Sequence, residues 1–126
     1  MRLLLDTSVL LWMLDGSERL RRPTREMLND RDSLLFVSVV SLWEIGIKIA
    51  AGKLRIDADW VSVLSDWGLY ALLPVEVPHA LAAPRLPAHH KDPFDRMLIA
   101  QALVEELTLV STDRAFALYD APLILA

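Results

Sequence analysis

What most constrains this chain is an alternation that runs its whole length: short apolar runs, each followed by residues with helical spacing. Arg2–Leu5, Leu34–Ser38, Tyr70–Leu73, Leu107–Ser111 and Leu123–Leu125 read as strands, rich in branched apolar residues and bounded by polar or turn-forming ones. Helical segments are predicted from near Val9, from Pro23 to about Asn29, over Ser41–Ala51 before Gly52, over Ala58–Trp67 before Gly68, over Val77–Ala83, from Asp92-Pro93 to Glu106, and briefly after Asp113. Strands that alternate with helices of this length require crossover connections, and those build a parallel sheet covered on both faces. The expected fold is therefore α/β, a three-layer α/β/α sandwich around a central, mainly parallel sheet. With 126 residues the chain has material for one core, so residues 1–126 are read as a single domain. The Pro-rich stretch from Pro74 to Pro87 is read as a loop inside it.

Composition removes several classes of function. Apolar residues make up 54% of the chain, which prompts a search for a membrane segment. The richest stretch, Phe36 to Ala51, carries Glu44 and Lys48 at its centre, whereas a spanning helix needs about 20 predominantly apolar residues. Asp6 interrupts the apolar amino terminus, and no small-residue cleavage site follows it. No membrane association is expected, and a cytoplasmic location is. Cysteine is absent, so disulfides and thiolate metal sites are excluded, and any metal must be held by oxygen or imidazole. The net charge of −4 is opposite to that of a typical nucleic-acid binder, but convergence of several acids on one cation would leave the remaining surface closer to neutral. The apolar excess, including Trp12, Trp43, Trp60 and Trp67, suggests surface kept for a partner or a second copy, with a bulky core as the alternative.

The acids are placed in a way that suggests such convergence. Asp6 follows Leu3-Leu4-Leu5 directly, and Asp113 follows Leu109-Val110-Ser111-Thr112. In open parallel sheets ligands bind beyond the carboxyl ends of the strands, where strand order reverses. If those two strands are neighbours, both carboxylates meet at one edge. Glu44 and Asp95 are each expected in the first turn of a helix pointing to that same edge. Four carboxylates raise one another's pKa unless a hard divalent cation joins them, and Mg²⁺ or Mn²⁺ is the expected occupant. Such an ion can neutralise a phosphate and acidify a water, which is the chemistry of phosphodiester hydrolysis.

Each acid also has a structural reading. Asp6 and Asp113 fit helix N-caps, and Glu44 can pair with Lys48 four residues on. Leu42, Trp43, Ile45 and Ile47 around Glu44 make a lone carboxylate costly there. Asp92 before Pro93 is read as an N-cap. His79 is read as packing, and His89 and His90 as loop residues within reach of a phosphate. Arg19, Arg21, Arg22 and Arg25 are read as a solvated basic helix face.

Taken together, Asp6-Thr7-Ser8, Ser41-Leu42-Trp43-Glu44-Ile45 with Lys48, His90-Lys91-Asp92-Pro93-Phe94-Asp95-Arg96 leading into Leu98-Ile99-Ala100-Gln101-Ala102, and Leu109-Val110-Ser111-Thr112-Asp113 resemble the PIN-domain family. Its branch of VapC-like toxin ribonucleases from type II toxin-antitoxin systems is the most similar. The resemblance spans the chain in the right order. It implies Mg²⁺ or Mn²⁺ ligation and catalysis by Asp6, Glu44, Asp95 and Asp113, with Thr7, Ser8 and Thr112 as supporting hydroxyls. It also implies an RNA substrate, a homodimer, and a cognate antitoxin whose tail covers the site. Lys48 and Arg96 stand beside the acids as charge partners or phosphate contacts.

Rival readings are weaker on the residues themselves. A receiver domain wants adjacent acids after its first strand and a late lysine, yet Thr7 follows Asp6 and no lysine follows Lys91. A phosphatase with an Asp-x-Asp nucleophile fails at Ser8. The alternative left is a catalytically silent PIN-like binding module.

Overall fold

The computed structural model describes residues 1–67 and 70–126. In chain order the elements are β1 (Arg2–Leu5), α1 (Thr7–Asp15), α2 (Arg22–Leu28), β2 (Leu34–Ser38), α3 (Val39–Ala50), α4 (Trp60–Trp67) and β3 (Tyr70–Leu73). They continue with α5 (Val77–Ala82), a 3-10 turn (Ala83–Arg85), α6 (Pro93–Glu105), β4 (Thr108–Ser111), a second 3-10 turn (Arg114–Leu118) and β5 (Leu123–Leu125). Gly68, expected to stop α4, lies outside the described residues.

The sheet has the order β3-β2-β1-β4-β5, and all four pairings are parallel. The chain lays β2 and β3 on one side of β1, then crosses to lay β4 and β5 on the other. Strand order thus reverses between β1 and β4, which are in register from Leu3 opposite Thr108 to Leu5 opposite Val110. The period-two alternation of strand side chains divides the core. Leu3 and Leu5 of β1 and Val110 of β4 join Val9, Leu10, Ile45 and Leu64 beneath α1, α3 and α4. Leu4 and Leu109 face the opposite way and pack with Leu98, Ile99, Ala102 and Phe116 under α6. Two dry layers on either side of one sheet make the expected three-layer sandwich.

Local chemistry sets where each helix starts. Asp6 caps α1 by accepting from the Thr7 amide at 2.7 Å, two residues earlier than the expected start near Val9. Asp92 caps α6 from the Phe94 and Asp95 amides, with Pro93 in its first turn, as read from the Asp-Pro pair. The start of α3 differs from expectation. Ser38 accepts from the Val40 amide, so the helix begins at Val39 rather than Ser41. Glu44 therefore stands in the second turn of α3, not the first. Leu107, expected to open β4, precedes the strand, and its amide instead returns to the Ala102 carbonyl after the left-handed turn at Glu106.

Candidate metal centre

Asp6 and Asp113 each divide their two carboxylate oxygens between a structural bond and the space beyond the sheet. Asp6 Oδ1 caps α1, while its Oδ2 accepts from Ser111 Oγ at 2.7 Å and from Ser8 Oγ at 3.2 Å. Asp113 Oδ1 accepts from the Ala115 amide at 2.9 Å, and its Oδ2 lies 2.9 Å from His90 Nε2. The caps read in the sequence thus use one oxygen of each acid, and the other is held by neighbouring side chains. Ser111 ties the two acids together, because its hydroxyl also accepts from the Asp113 amide at 3.0 Å.

Glu44 is 9% exposed despite its later place in α3. Its Oε1 lies 2.9 Å from Thr7 Oγ1, which is 3.0 Å from Ser41 Oγ, and its Oε2 pairs with Lys48 Nζ at 2.9 Å. This links α3 to the start of α1 through polar groups alone. Asp95, half-buried in the first turn of α6, places Oδ2 3.0 Å from the same His90 Nε2 that meets Asp113. One ligand atom each from His90, Asp95 and Asp113 lie within 4.8 Å of one another.

The electrostatics couple Asp6, Glu44 and Asp95, while Asp113 joins them through His90. Burial raises the Asp6 carboxyl above its ordinary value, assisted by the charge of Glu44 and opposed by the donors Ser111, Thr7 and Ser8. Asp95 is pushed up to about 7, by burial first and then by the negative charges of Asp6, Asp92 and Glu44, against the pull of His90. Burial also acts upward on Asp113, but the Ala115 amide and His90 outweigh it and bring that carboxyl below its ordinary value. A carboxyl held high by like charges is what a divalent cation relieves. The donor set fits a hard cation with oxygen ligands and at most one imidazole neighbour.

The remaining expected residues fall into place unevenly. Thr7 and Ser8 contact acids directly, whereas Thr112 reaches only Ser8, at 3.4 Å. Lys48 pairs with Glu44 as a charge partner. Arg96 donates all four of its Nη hydrogens to the carbonyls of Ala83, Leu86, Pro87 and His90 at 2.8–3.0 Å, so its main bonds hold the preceding loop. Ser41, Ser111 and His90 are parts of the site that the sequence did not single out as such. Ser111 is separated from Asp6 by 105 positions and meets it only through strand pairing. His79 is packed, as expected, between the Glu76 amide and Glu105. On the basic face, Arg22 pairs with Glu26 in solvent while Arg21 and Arg25 bind main-chain carbonyls.

A parallel sheet whose carboxylates gather at its switch point defines an α/β protein with a ligand site beyond the strand ends. Within that class, the chain belongs to the PIN domain family, whose model matches residues 3–122. No curated protein matches the sequence. Among solved structures the fold is similar to that of a chain in VapBC2 from Rickettsia felis bound to promoter DNA, with a TM-score of 0.75 at 15% identity, covering 99% of this chain and 98% of that one. A chain of DNA-bound VapBC from Salmonella typhimurium is similar at TM-score 0.70 and 16% identity, covering 98% and 97%. A chain of VapBC-5, a toxin-antitoxin family member from Mycobacterium tuberculosis, gives 0.64 at 24% identity, covering 99% and 98%.

Proposed function

We propose that this chain is a divalent-metal-dependent endoribonuclease acting as the toxin of a type II toxin-antitoxin pair. The observation that carries the reading is the set of carboxylates at the edge where strand order reverses: Asp95 and Asp113 meet at His90, and Asp95, raised by burial and then by the charges of Asp6 and Glu44, stands within electrostatic reach of those two. Asp6, Glu44, Asp95 and Asp113 would hold Mg²⁺ or Mn²⁺. When bound, the cation supplies charge neutralisation at a phosphate and a more acidic water. The chain's own groups orient the acids: Ser111 and Ser8 fix the free oxygen of Asp6, Thr7 fixes Glu44, and Lys48 balances Glu44 from the solvent side.

The solved relatives in VapBC complexes support a protein partner for this chain, a cognate antitoxin. An apolar groove of about 450 Å³ beside the acids, lined by Val39, Val40, Trp43, Val75, Phe94 and Met97, suits the apolar part of such a partner. Trp43 stands 63% exposed with its ring edge-on to Phe94, while Trp12 and Trp60 pack against the core, so only some of the tryptophans are available as contact surface. The same exposed apolar surface supports a homodimer. Among the described residues no helix is long and apolar enough to cross a membrane.

The test is cleavage of a structured-RNA pool by the purified chain with Mn²⁺ or with EDTA, alongside Asp6→Asn. Metal-dependent cutting that disappears in the variant is the expected result. A folded, antitoxin-free protein that binds Mn²⁺ yet cuts nothing across a broad RNA panel would move the reading to a silent binding module. Sedimentation of the free chain at micromolar concentration checks the dimer, and a single 14.2 kDa species would remove it.

A further inference from the structure

We propose that His90 is a positioning residue of the acid centre: its Nε2–H donates to Asp113 and lies against Asp95, and so sets the spacing of the two carboxylates. The inference rests on the metal-centre reading above and adds to it a residue outside the four acids.

The first support is the tautomer. The Asp92 amide donates to His90 Nδ1 at 3.2 Å, so that nitrogen presents its lone pair and the ring proton resides on Nε2. Nε2 faces Asp113 Oδ2 at 2.9 Å and Asp95 Oδ2 at 3.0 Å. A nitrogen that carries a proton between two carboxylates acts as a donor to the ligands, not as a ligand. This is the arrangement by which groups behind a metal's own ligands orient them.

The second support is how firmly the ring is held. The His90 amide donates to Tyr119 Oη at 2.8 Å, its carbonyl accepts from Arg96 at 3.0 Å, and its ring lies 5.7 Å from that of Phe116. Tyr119 Oη also donates to the Pro87 carbonyl, and Arg96 takes three further carbonyls of the same loop. Arg96 and Tyr119 thus pin the loop, the loop fixes the imidazole, and the imidazole fixes two acids from different elements. Asp95 arrives on α6 and Asp113 follows β4, and the Nε2 atom is the point both touch, through a hydrogen bond to Asp113 and a 3.0 Å contact with Asp95. The role explains why a histidine and an arginine flank the Asp-Pro-Phe-Asp block without either being a metal ligand.

The experiment is calorimetric Mn²⁺ titration of the full chain at constant pH, for wild type, His90→Phe and His90→Gln, with urea unfolding of each in EDTA as the fold control. Phe keeps a ring against Phe116 and removes all three polar contacts of the imidazole, whereas Gln keeps an N–H donor near the Nε2 position. Loss of the donor is expected to weaken Mn²⁺ binding roughly 10–100-fold in the Phe variant, with partial recovery in the Gln variant. Equal affinity in all three folded proteins would overturn the proposal, and tighter binding by His90→Phe would overturn it by showing that the imidazole competes with the cation. Wild type that binds no Mn²⁺ would instead remove the metal-centre reading itself. If His90→Phe fails to fold, His90→Ala takes its place: weaker binding than His90→Gln supports the donor role, and affinity equal to wild type overturns it.

Discussion

Replacing Asp95 by Asn should stabilise the metal-free protein near pH 8 while depriving it of tight cation binding. In the folded chain the Asp95 carboxyl is displaced from 3.8 to about 7, by burial and by Asp6, Asp92 and Glu44. The unfolded chain keeps the ordinary value. Between these two values the folded state binds a proton that the unfolded state releases, so stability falls as pH rises, and the loss is complete above about pH 7. At about 1.4 kcal/mol per tenfold change in proton affinity, the displacement sets a ceiling of ~4 kcal/mol. The side chain is 19% exposed, and water at that edge brings the expectation to roughly 2–4 kcal/mol. Asn has nearly the same shape and no charge, so it should recover most of this, a rise on the order of 8–15 °C in melting temperature for a chain of this length. Urea unfolding in EDTA near pH 8 and near pH 5 measures it, and the advantage of the variant should shrink towards acid, where wild type is itself protonated when folded. Millimolar Mn²⁺ should then reverse the order once it stands about a thousandfold above the dissociation constant, where binding to the folded state adds about 4.1 kcal/mol. Equal stability near pH 8, or an advantage unchanged near pH 5, would refute the like-charge account.

Two other perturbations address the support of the site. Arg96→Met removes a guanidinium that serves four carbonyls at 2.8–3.0 Å and should cost roughly 2–5 kcal/mol in urea unfolding; a loss under about 1 kcal/mol would show that the loop holds itself. Ser111→Ala breaks the bonds to Asp6 Oδ2 and the Asp113 amide, for roughly 1–3 kcal/mol, and leaves the already raised Asp6 carboxyl higher still. Its Mn²⁺ affinity should therefore fall more towards acid than towards alkaline pH, and calorimetry that finds the same ratio across the range would contradict this.

The parts of the fold and site that could be read in advance are those written in local chemistry. Leu3-Leu4-Leu5 before Asp6 announces a buried strand and a cap, and Asp92-Pro93 announces the start of α6; both occur. The start of α3 was obscured because Val39 and Val40 have the β-branching of a strand, while the deciding group was the Ser38 hydroxyl. Tertiary effects hid the rest. Ser111 looks like an ordinary strand residue until β4 lies beside β1. His90 looks like an ordinary loop residue until Arg96 and Tyr119 bend its loop over the acids. Arg96 itself misleads, since its neighbour in sequence is Asp95 but its bonds run backwards to residues 83–90.

The pairing of β1 with β4 also bears on when a newly made chain becomes dangerous. Leu3 waits for Thr108, so the ladder at the centre of the sheet joins segments more than a hundred positions apart and belongs among the slow, non-local steps of folding. Asp6 is made first among the acids and Asp113 last, and Asp6 does not find Ser111 or Asp113 until that ladder closes. A nascent or prematurely terminated chain therefore has its acids scattered along an unfinished sheet. For a protein proposed to cut RNA, that topology makes assembly of the site wait on the segment that carries β4.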